Sequence, residues 1–397
     1  MIAPGGPTAP EPEPTDPDEL PPQPDKKYDE LPLTKAEEDK YKKQRLDIRR
    51  ILLAKNFDGN QPMFEEYFTR YSLGRWTHWK NITSLPGFRR DLGNYFRQTK
   101  SGTVYDHLNA LVLDFMNKLV RGNYNPAARI NAMLAIGELN SVEQSGSDPA
   151  VPYPGALKAL VDAVNDADLP DAIRAAAMVG VLRHAEAGIR DEGSRRALAD
   201  AMLRLATADP PTGPSAAGRE WIMAQAVDTL GLLGSTGDGN GVFKAMTGIV
   251  SDTRLSDRTR SVAAGALGQL NYAGAAGIDP VAEAAKLARF TADCCAEETR
   301  LSKESAQSVS RRRIKQRLEA ALTALTGVDE RHKGIMSLAR RPDQQALLAE
   351  MHESIKELSD VFDDRRSEGN DLGPPIEKLR KKLETWMQKQ GGQKGKS

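Results

Sequence analysis

Residues 125–140 read NPAARINAMLAIGELN, and residues 256–271 read SDRTRSVAAGALGQLN. One pattern is written twice, 131 residues apart. An arginine (Arg129, Arg260) is followed by alanine three positions on (Ala132, Ala263) and by an apolar residue at seven (Ile136, Leu267). Glycine follows at eight (Gly137, Gly268) and leucine at ten (Leu139, Leu270). These spacings share one face of a helix. Alanine and glycine on that face let a second helix approach closely, and leucine fills the groove between them.

The stretches around these two repeat the theme in pairs. TVYDHLNALVLDFMNKLV precedes the first quoted segment, and NGVFKAMTGIVSD precedes the second. Between them, PGALKALVDAVND leads to LPDAIRAAAMVGVLRHA, and GSRRALADAMLRLAT leads across a Pro/Gly-rich loop at 209–218 to REWIMAQAVDTLGLLG. A last, stretched pair runs from Pro280 to about Arg300 and from about Ser308 to Thr326. The positions equivalent to Arg129 are Arg174, Met223, Arg260 and Lys315, at intervals of 45, 49, 37 and 55 residues. Helix-pair arrays repeat at roughly 40–47 residues, because one pair cannot cover its own apolar face and must stack on another. Gly137, Gly231 and Gly268 hold the close-packing position, whereas Leu182 and Thr323 depart from it. No strand-type alternation of β-branched residues is seen, so a sheet-bearing fold is not expected.

RTRSVAAGALGQLN and AARINAMLAIGELN resemble the second helix of HEAT repeats, especially the HEAT-like form of phycobilisome lyases. The resemblance covers about residues 101–327, with NYNP, ADLPD and RLSD in place of the usual Asp-Pro turn. It implies an all-α fold, an α-solenoid of about five HEAT-like helix pairs with an N-terminal helical cap and C-terminal helices. It also implies an interaction module, as HEAT proteins mostly are.

The flanks differ in character. Residues 1–34 form a Pro-rich acidic tail that cannot bury apolar surface and is expected to be disordered. Residues 35–100 are expected to form the cap. It opens with a helix N-capped by Thr34, with Glu37 placed for a capping box. A short helix follows, with Phe64, Tyr67, Phe68 and Tyr71 on one face, and residues 72–100 read as irregular with short helical turns. Residues 328–390 carry two amphipathic helices, the second opening on proline, and 391–397 read as a flexible tail.

Lys plus Arg and Asp plus Glu both number 55, so no net charge steers the chain to nucleic acid or an anionic membrane. No apolar run approaches the roughly 18–20 residues that span a bilayer. The start lacks the basic and apolar regions of a signal peptide. The chain as written reads as cytoplasmic, and an exported or periplasmic location needs a signal sequence upstream of Met1. The cysteines, Cys294 and Cys295, are adjacent and form no disulfide framework. With Asp293, Glu297 and Glu298 beside them they read as inert buried thiols, since carboxylates disfavour a thiolate.

The motifs that resemble chemistry do not complete it. HESIK at 352–356 has Lys356 where a zinc helix needs its second histidine. GSTGDGNG at 234–241 follows a helix, lacks dinucleotide spacing and has no acidic residue twelve positions on from Asp238. The terminal GKS has Gln390 where a phosphate loop needs glycine. Trp76 and Trp79 in RWTHWK read as packing under the cap. Isolated acids such as Glu138 and Glu220 have no partner identifiable from sequence. The densest basic run, SRRRIKQR, supplies Arg311, Arg312, Arg313, Lys315 and Arg317 as candidates for contact with an acidic partner or phosphates. Helical geometry would spread these around the axis, and AEETRLSKE and the acidic tail are available to neutralise them. The expectation is a non-enzymatic scaffold that binds a protein through its curved inner surface, with no catalytic, cofactor or metal residue. Nucleic acid is the less favoured partner. The alternative is a HEAT-fold enzyme or enzyme helper, lyase-like or glycosylase-like. A glycosylase needs a basic groove with paired Trp and Asp, and tryptophans at 76, 79, 221 and 386 suggest no common site.

Overall fold

The computed structural model describes residues 27–305, 310–363 and 372–393, and these are mostly helical. The expected disorder of the N-terminal tail falls largely on residues 1–26, outside the described ones, as do 394–397 of the expected C-terminal tail. The chain divides into two compact units after Ala132.

The first unit opens with α1 (Lys35–Ala54). Thr34 is its N-cap: its hydroxyl accepts from the Glu37 amide at 3.2 Å, and the Glu37 carboxylate accepts from the Thr34 amide at 2.8 Å. This capping box satisfies two amide donors that the first turn would otherwise orphan. α2 (Gln61–Glu66) runs on into a π-helical turn over Tyr67–Ser72, then short 3₁₀ turns. Residues 85–99 depart from the irregular reading: they form a regular helix, α3 (Leu85–Thr99). Its proline lies in the first turn, where no amide donor is needed, and Leu85, Leu92, Phe96 and Thr99 are buried along one side. The core is aromatic. Phe64, Phe68, Tyr67 and Tyr41 are essentially inaccessible, and Phe96 meets Tyr105 of α4 (Thr103–Arg121) edge-on at 5.5 Å.

α5 (Pro126–Glu138) carries the first quoted segment. After it β1 (Asn140–Val142) and β2 (Val151–Pro152) make a two-stranded antiparallel ribbon. This corrects the expectation of no strands: the ribbon closes the long α5–α6 connection and is too short to show alternation.

In the second unit α6 (Pro154–Asn165) packs on α7 (Asp171–Ala187), and α8 (Glu192–Ala206) packs on α9 (Ala216–Leu233). α10 (Gly241–Ser251) packs on α11 (Asp257–Leu267), and α12 (Pro280–Ser305) packs on α13 (Arg311–Thr326). The first helices touch in succession, α6 to α8 to α10 to α12, and so do the second helices, α7 to α9 to α11 to α13. α14 (Pro342–Asp363) packs on α13 and α12, and α15 (Gly373–Gln393) packs on α12 and α14. No helix among the described residues is long and apolar enough to cross a membrane.

The repeated arginine has one structural task. Arg129 Nε donates to the Val120 carbonyl at 2.7 Å, Arg174 Nε to Val164 at 2.9 Å, and Arg260 Nε to Val250 at 2.9 Å. Each valine lies in the last turn of the preceding helix, where carbonyls lack intrahelical partners and a cation opposes the helix dipole favourably.

The glycines set how closely second helices approach. A Cβ on Gly137 would meet Gly180 Cα at 3.0 Å, and one on Gly231 would meet Ala266 Cβ at 3.0 Å. In α7 the close approach is therefore made by Gly180, two residues before the Leu182 that breaks the sequence pattern. The second-helix N-termini are also tied in sequence. Asp171 meets Arg219 at 3.5 Å, Glu220 accepts from the Ser256 amide at 2.8 Å and the Thr259 hydroxyl at 2.7 Å, and Asp257 meets Arg317 at 3.2 Å.

Gly268 is the tightest of these glycines, since a Cβ there would lie 2.0 Å from the Thr323 carbonyl oxygen. Gly265, one turn earlier, has open space around it. Gly268→Ala is expected to lower stability by about 3 kcal/mol, and Gly265→Ala to raise it by about 0.5–1 kcal/mol. Urea unfolding of the two variants checks both signs.

Candidate functional site

The basic run occupies the first turns of α13. Arg311 donates to the Val361 carbonyl at 3.3 Å and lies over the Phe362 ring at 5.7 Å. Arg313 grips both oxygens of Glu298 through Nε and Nη2, each at 2.7 Å. Lys315 lies 3.6 Å from Glu319, one turn on. Arg317 faces Asp257 at 3.2 Å and Glu298 at 3.7 Å, the second contact electrostatic and too long for a hydrogen bond. Arg312 is exposed. Three of the five candidate cations, Arg311, Arg313 and Arg317, thus take part in holding helices together, and Lys315 pairs within its own helix. Glu298, from the acidic AEETRLSKE stretch, is the neutraliser of Arg313; residues 1–26 of the acidic tail lie outside the described ones.

These contacts belong to a longer chain of alternating charge. Arg260, 3% exposed, bridges Asp257 at 3.3 Å and Asp293 at 3.0 Å and stacks over Phe290 at 5.0 Å. The sequence Asp293–Arg260–Asp257–Arg317–Glu298–Arg313 links α11, α12 and α13. Asp257 sits three residues before Arg260, as Asp171 does before Arg174, so part of the network was visible in the repeat itself. Glu298 is 1% exposed and also accepts from the Ser310 amide at 2.7 Å. Burial pushes its carboxyl up, but the Arg313 bonds, the Ser310 amide and the two guanidinium charges prevail and hold it below the ordinary 4.5.

Above this network lies an open groove of about 570 Å³ between α11 and α13. Arg258, Arg312, Arg313 and Arg317 line it with Ser261 and Ser310, and no carboxylate lines it among the described residues. Arg258 and Arg312 are both exposed, and neither has a hydrogen-bond or ion-pair partner among the described residues. Arg258, which the sequence reading did not single out, stands two residues before the marker Arg260, so the Arg-x-Arg spacing was the available signal. A larger depression of about 670 Å³ between α14 and α15 is lined by lysines and glutamates. These pair with one another, as Lys382 with Glu357 at 2.6 Å and Lys389 with Glu350 at 3.1 Å.

The remaining candidates are structural. Trp76 is 1% exposed against Phe88, and Trp386 is buried with its indole donating to the Leu347 carbonyl at 3.0 Å. Cys294 and Cys295 are fully buried; burial foremost pushes both thiols up, Cys295 to about 12, so neither supplies a thiolate at neutral pH. Glu220, without a visible partner in the sequence, holds the α11 N-terminus. GSTGDGNG forms the α9–α10 turn, with Gly234 in a left-handed conformation ending α9. Among the described residues no three His, Cys, Asp or Glu side chains stand close enough to share a metal ion.

Glu298→Gln leaves two buried-side guanidinium contacts without a counter-charge. It is expected to lower stability at pH 7 by about 2–4 kcal/mol. Because the folded carboxyl titrates below 4.5, the wild-type advantage is full above that pH and fades as the pH falls through the lowered value. Denaturation curves of both proteins from pH 7 to pH 2.5 measure the closing gap. Comparison of the chain with protein-family models, with characterised proteins and with solved structures gives no match.

Proposed function

We propose that the chain is a HEAT-like α-solenoid that acts as a non-enzymatic scaffold, binding a protein partner along the inner face of its second helices. The supporting observation is the row α7–α9–α11–α13, in which each second helix packs on the next. The solvent side of that row forms the proposed binding ridge. Val179 of α7 is 51% exposed and Leu232 of α9 is 38% exposed, with half-buried Gln225, Val262 and Gln269 along the same ridge. Arg258 and Arg312 stand at its α11–α13 end. Apolar side chains ringed by polar ones are the usual composition of a protein-binding surface. The arginine clamps support the HEAT-like reading, since a fixed cation at a fixed offset is what a stacked repeat needs.

The test is capture from native lysate with the wild-type chain and with Val179→Glu/Leu232→Glu, which places two charges on the ridge without touching the core. A stoichiometric protein retained by the wild type and lost at least tenfold by a variant of unchanged circular dichroism is the expected outcome. No retained protein, or equal retention by both, overturns the proposal.

A further inference from the structure

The groove between α11 and α13 differs from the rest of the surface in the sign of its lining. Elsewhere among the described residues several surface cations meet a carboxylate within one turn of the same helix, as Lys158 meets Asp162 at 2.7 Å and Arg300 meets Glu297 at 2.7 Å. Here four guanidinium groups converge and the two carboxylates that serve them, Asp257 and Glu298, lie beneath. Those carboxylates are committed: Asp257 to Arg260 and Arg317, Glu298 to Arg313, Arg317 and the Ser310 amide. Arg258 and Arg312 are left with their full charge. Arg313 gives Nε and Nη2 to Glu298, and its Nη1 has no hydrogen-bond partner among the described residues. Ser261 and Ser310 add hydroxyl groups at the wall.

We infer that the α11–α13 groove binds a short acidic peptide segment, with Arg258 and Arg312 receiving two of its side-chain carboxylates. The inference rests on the scaffold reading and names the chemistry of one part of the partner. Guanidinium groups suit carboxylates because their planar donors can pair with both oxygens. Each of the two is exposed and without a hydrogen-bond or ion-pair partner among the described residues, so the contact draws on charges that the fold does not use. Arg313 and Arg317, fixed by the network below, give the groove a rigid positive floor.

A peptide fits better than a nucleic-acid backbone on three grounds. A polyanion needs a run of phosphate-spaced cations, because its affinity comes from many released counterions; this groove offers two uncommitted ones. No aromatic side chain lines it to stack a base. Further along the second helices stand the carboxylates of Glu186 and Asp228, and burial, then the neighbouring Glu186 charge, push the Asp228 carboxyl up. A phosphate backbone laid along the row would meet them, whereas a short acidic segment ends before it does.

The experiment is fluorescence anisotropy on the full chain with three labelled probes: a ten-residue peptide of alternating Glu and Gly, its Gln counterpart, and a ten-nucleotide oligo-dT. The Glu peptide is expected to bind, to weaken as NaCl is raised from 50 to 300 mM, and to lose at least tenfold in affinity in Arg258→Ala/Arg312→Ala. Both side chains are exposed, so this variant keeps its fold, which circular dichroism verifies. Lys158→Ala, which removes an exposed cation on α6, serves as the comparison variant and is expected to bind the Glu peptide as the wild type does. Absence of Glu-peptide binding, equal binding of the Gln peptide, unchanged affinity in the arginine variant, or tighter binding of the oligonucleotide each overturns the inference. Failure here is separable from failure of the scaffold reading: the latter is judged by protein capture with the wild-type chain and the Val179→Glu/Leu232→Glu variant, the former by the peptide probes alone.

Discussion

The hydrogen bond from an arginine Nε to a valine carbonyl, made at Val120, Val164 and Val250, is the contact on which the helix-pair arrangement depends. Every helix ends with carbonyls that lack an intrahelical donor, and a helix buried by its neighbours cannot leave all of them to water. Here the donor comes from the next helix, so the bond that satisfies the end of one element also sets the start of the following one. Arginine suits the position because its remaining donors can hold a carboxylate at the same time, as Arg174 holds Asp171 at 3.1 Å. Arg183 works the same way at the other end of its helix, donating to the Gly137 carbonyl at 2.9 Å.

Close approach and polar ties build on that contact. Gly137 against Gly180, and Gly268 against Thr323, bring backbones together without side chains between them. The N-terminal ties Asp171–Arg219, Glu220–Ser256 and Asp257–Arg317 then join each second helix to its successor. At the last pair the marker position is Lys315, and the connection is held instead by Glu298, reached from Arg313, Arg317 and the Ser310 amide. The basic run therefore serves the end of the row first, and only its outermost member, with Arg258, faces solvent uncommitted.

The helix pairs were legible because their signal is local: periodic apolar positions, glycine at a fixed offset, and the capping box at Thr34. The reason for the repeated arginine was legible only in part. Valine precedes it by nine or ten residues in all three cases, but nothing in one dimension says that a carbonyl there lacks a donor. α3 was missed because Pro86, Gly87 and Gly93 look like breakers, whereas a proline in the first turn costs nothing and the Leu85–Leu92–Phe96 face outweighs the glycines. The β1–β2 ribbon carries too few residues to show a period. The groove was half legible: the density of charge in SRRRIKQR is visible, but which cations Glu298 and Asp257 absorb depends on packing across three helices. Arg258 was invisible as a site residue because its significance comes from a neighbour 54 residues away in sequence, Arg312.

One pair lacks the marker arginine and is tied the other way round: Arg195 of α8 donates through Nη2 to the Leu233 carbonyl at the end of α9, at 2.7 Å. In α9 the marker position is Met223, which is buried, and the α8 end is closed locally by the Thr207 hydroxyl donating to Leu203 at 2.8 Å. The connection that follows is long, steadied by Arg219 donating to the Thr212 carbonyl at 3.2 Å. The α8–α9 step is therefore crosslinked at the end of its second helix, whereas the marker arginines crosslink the start. Losing the Arg195 guanidinium frees the last carbonyls of α9, whereas losing a marker arginine frees the end of the first helix of its pair.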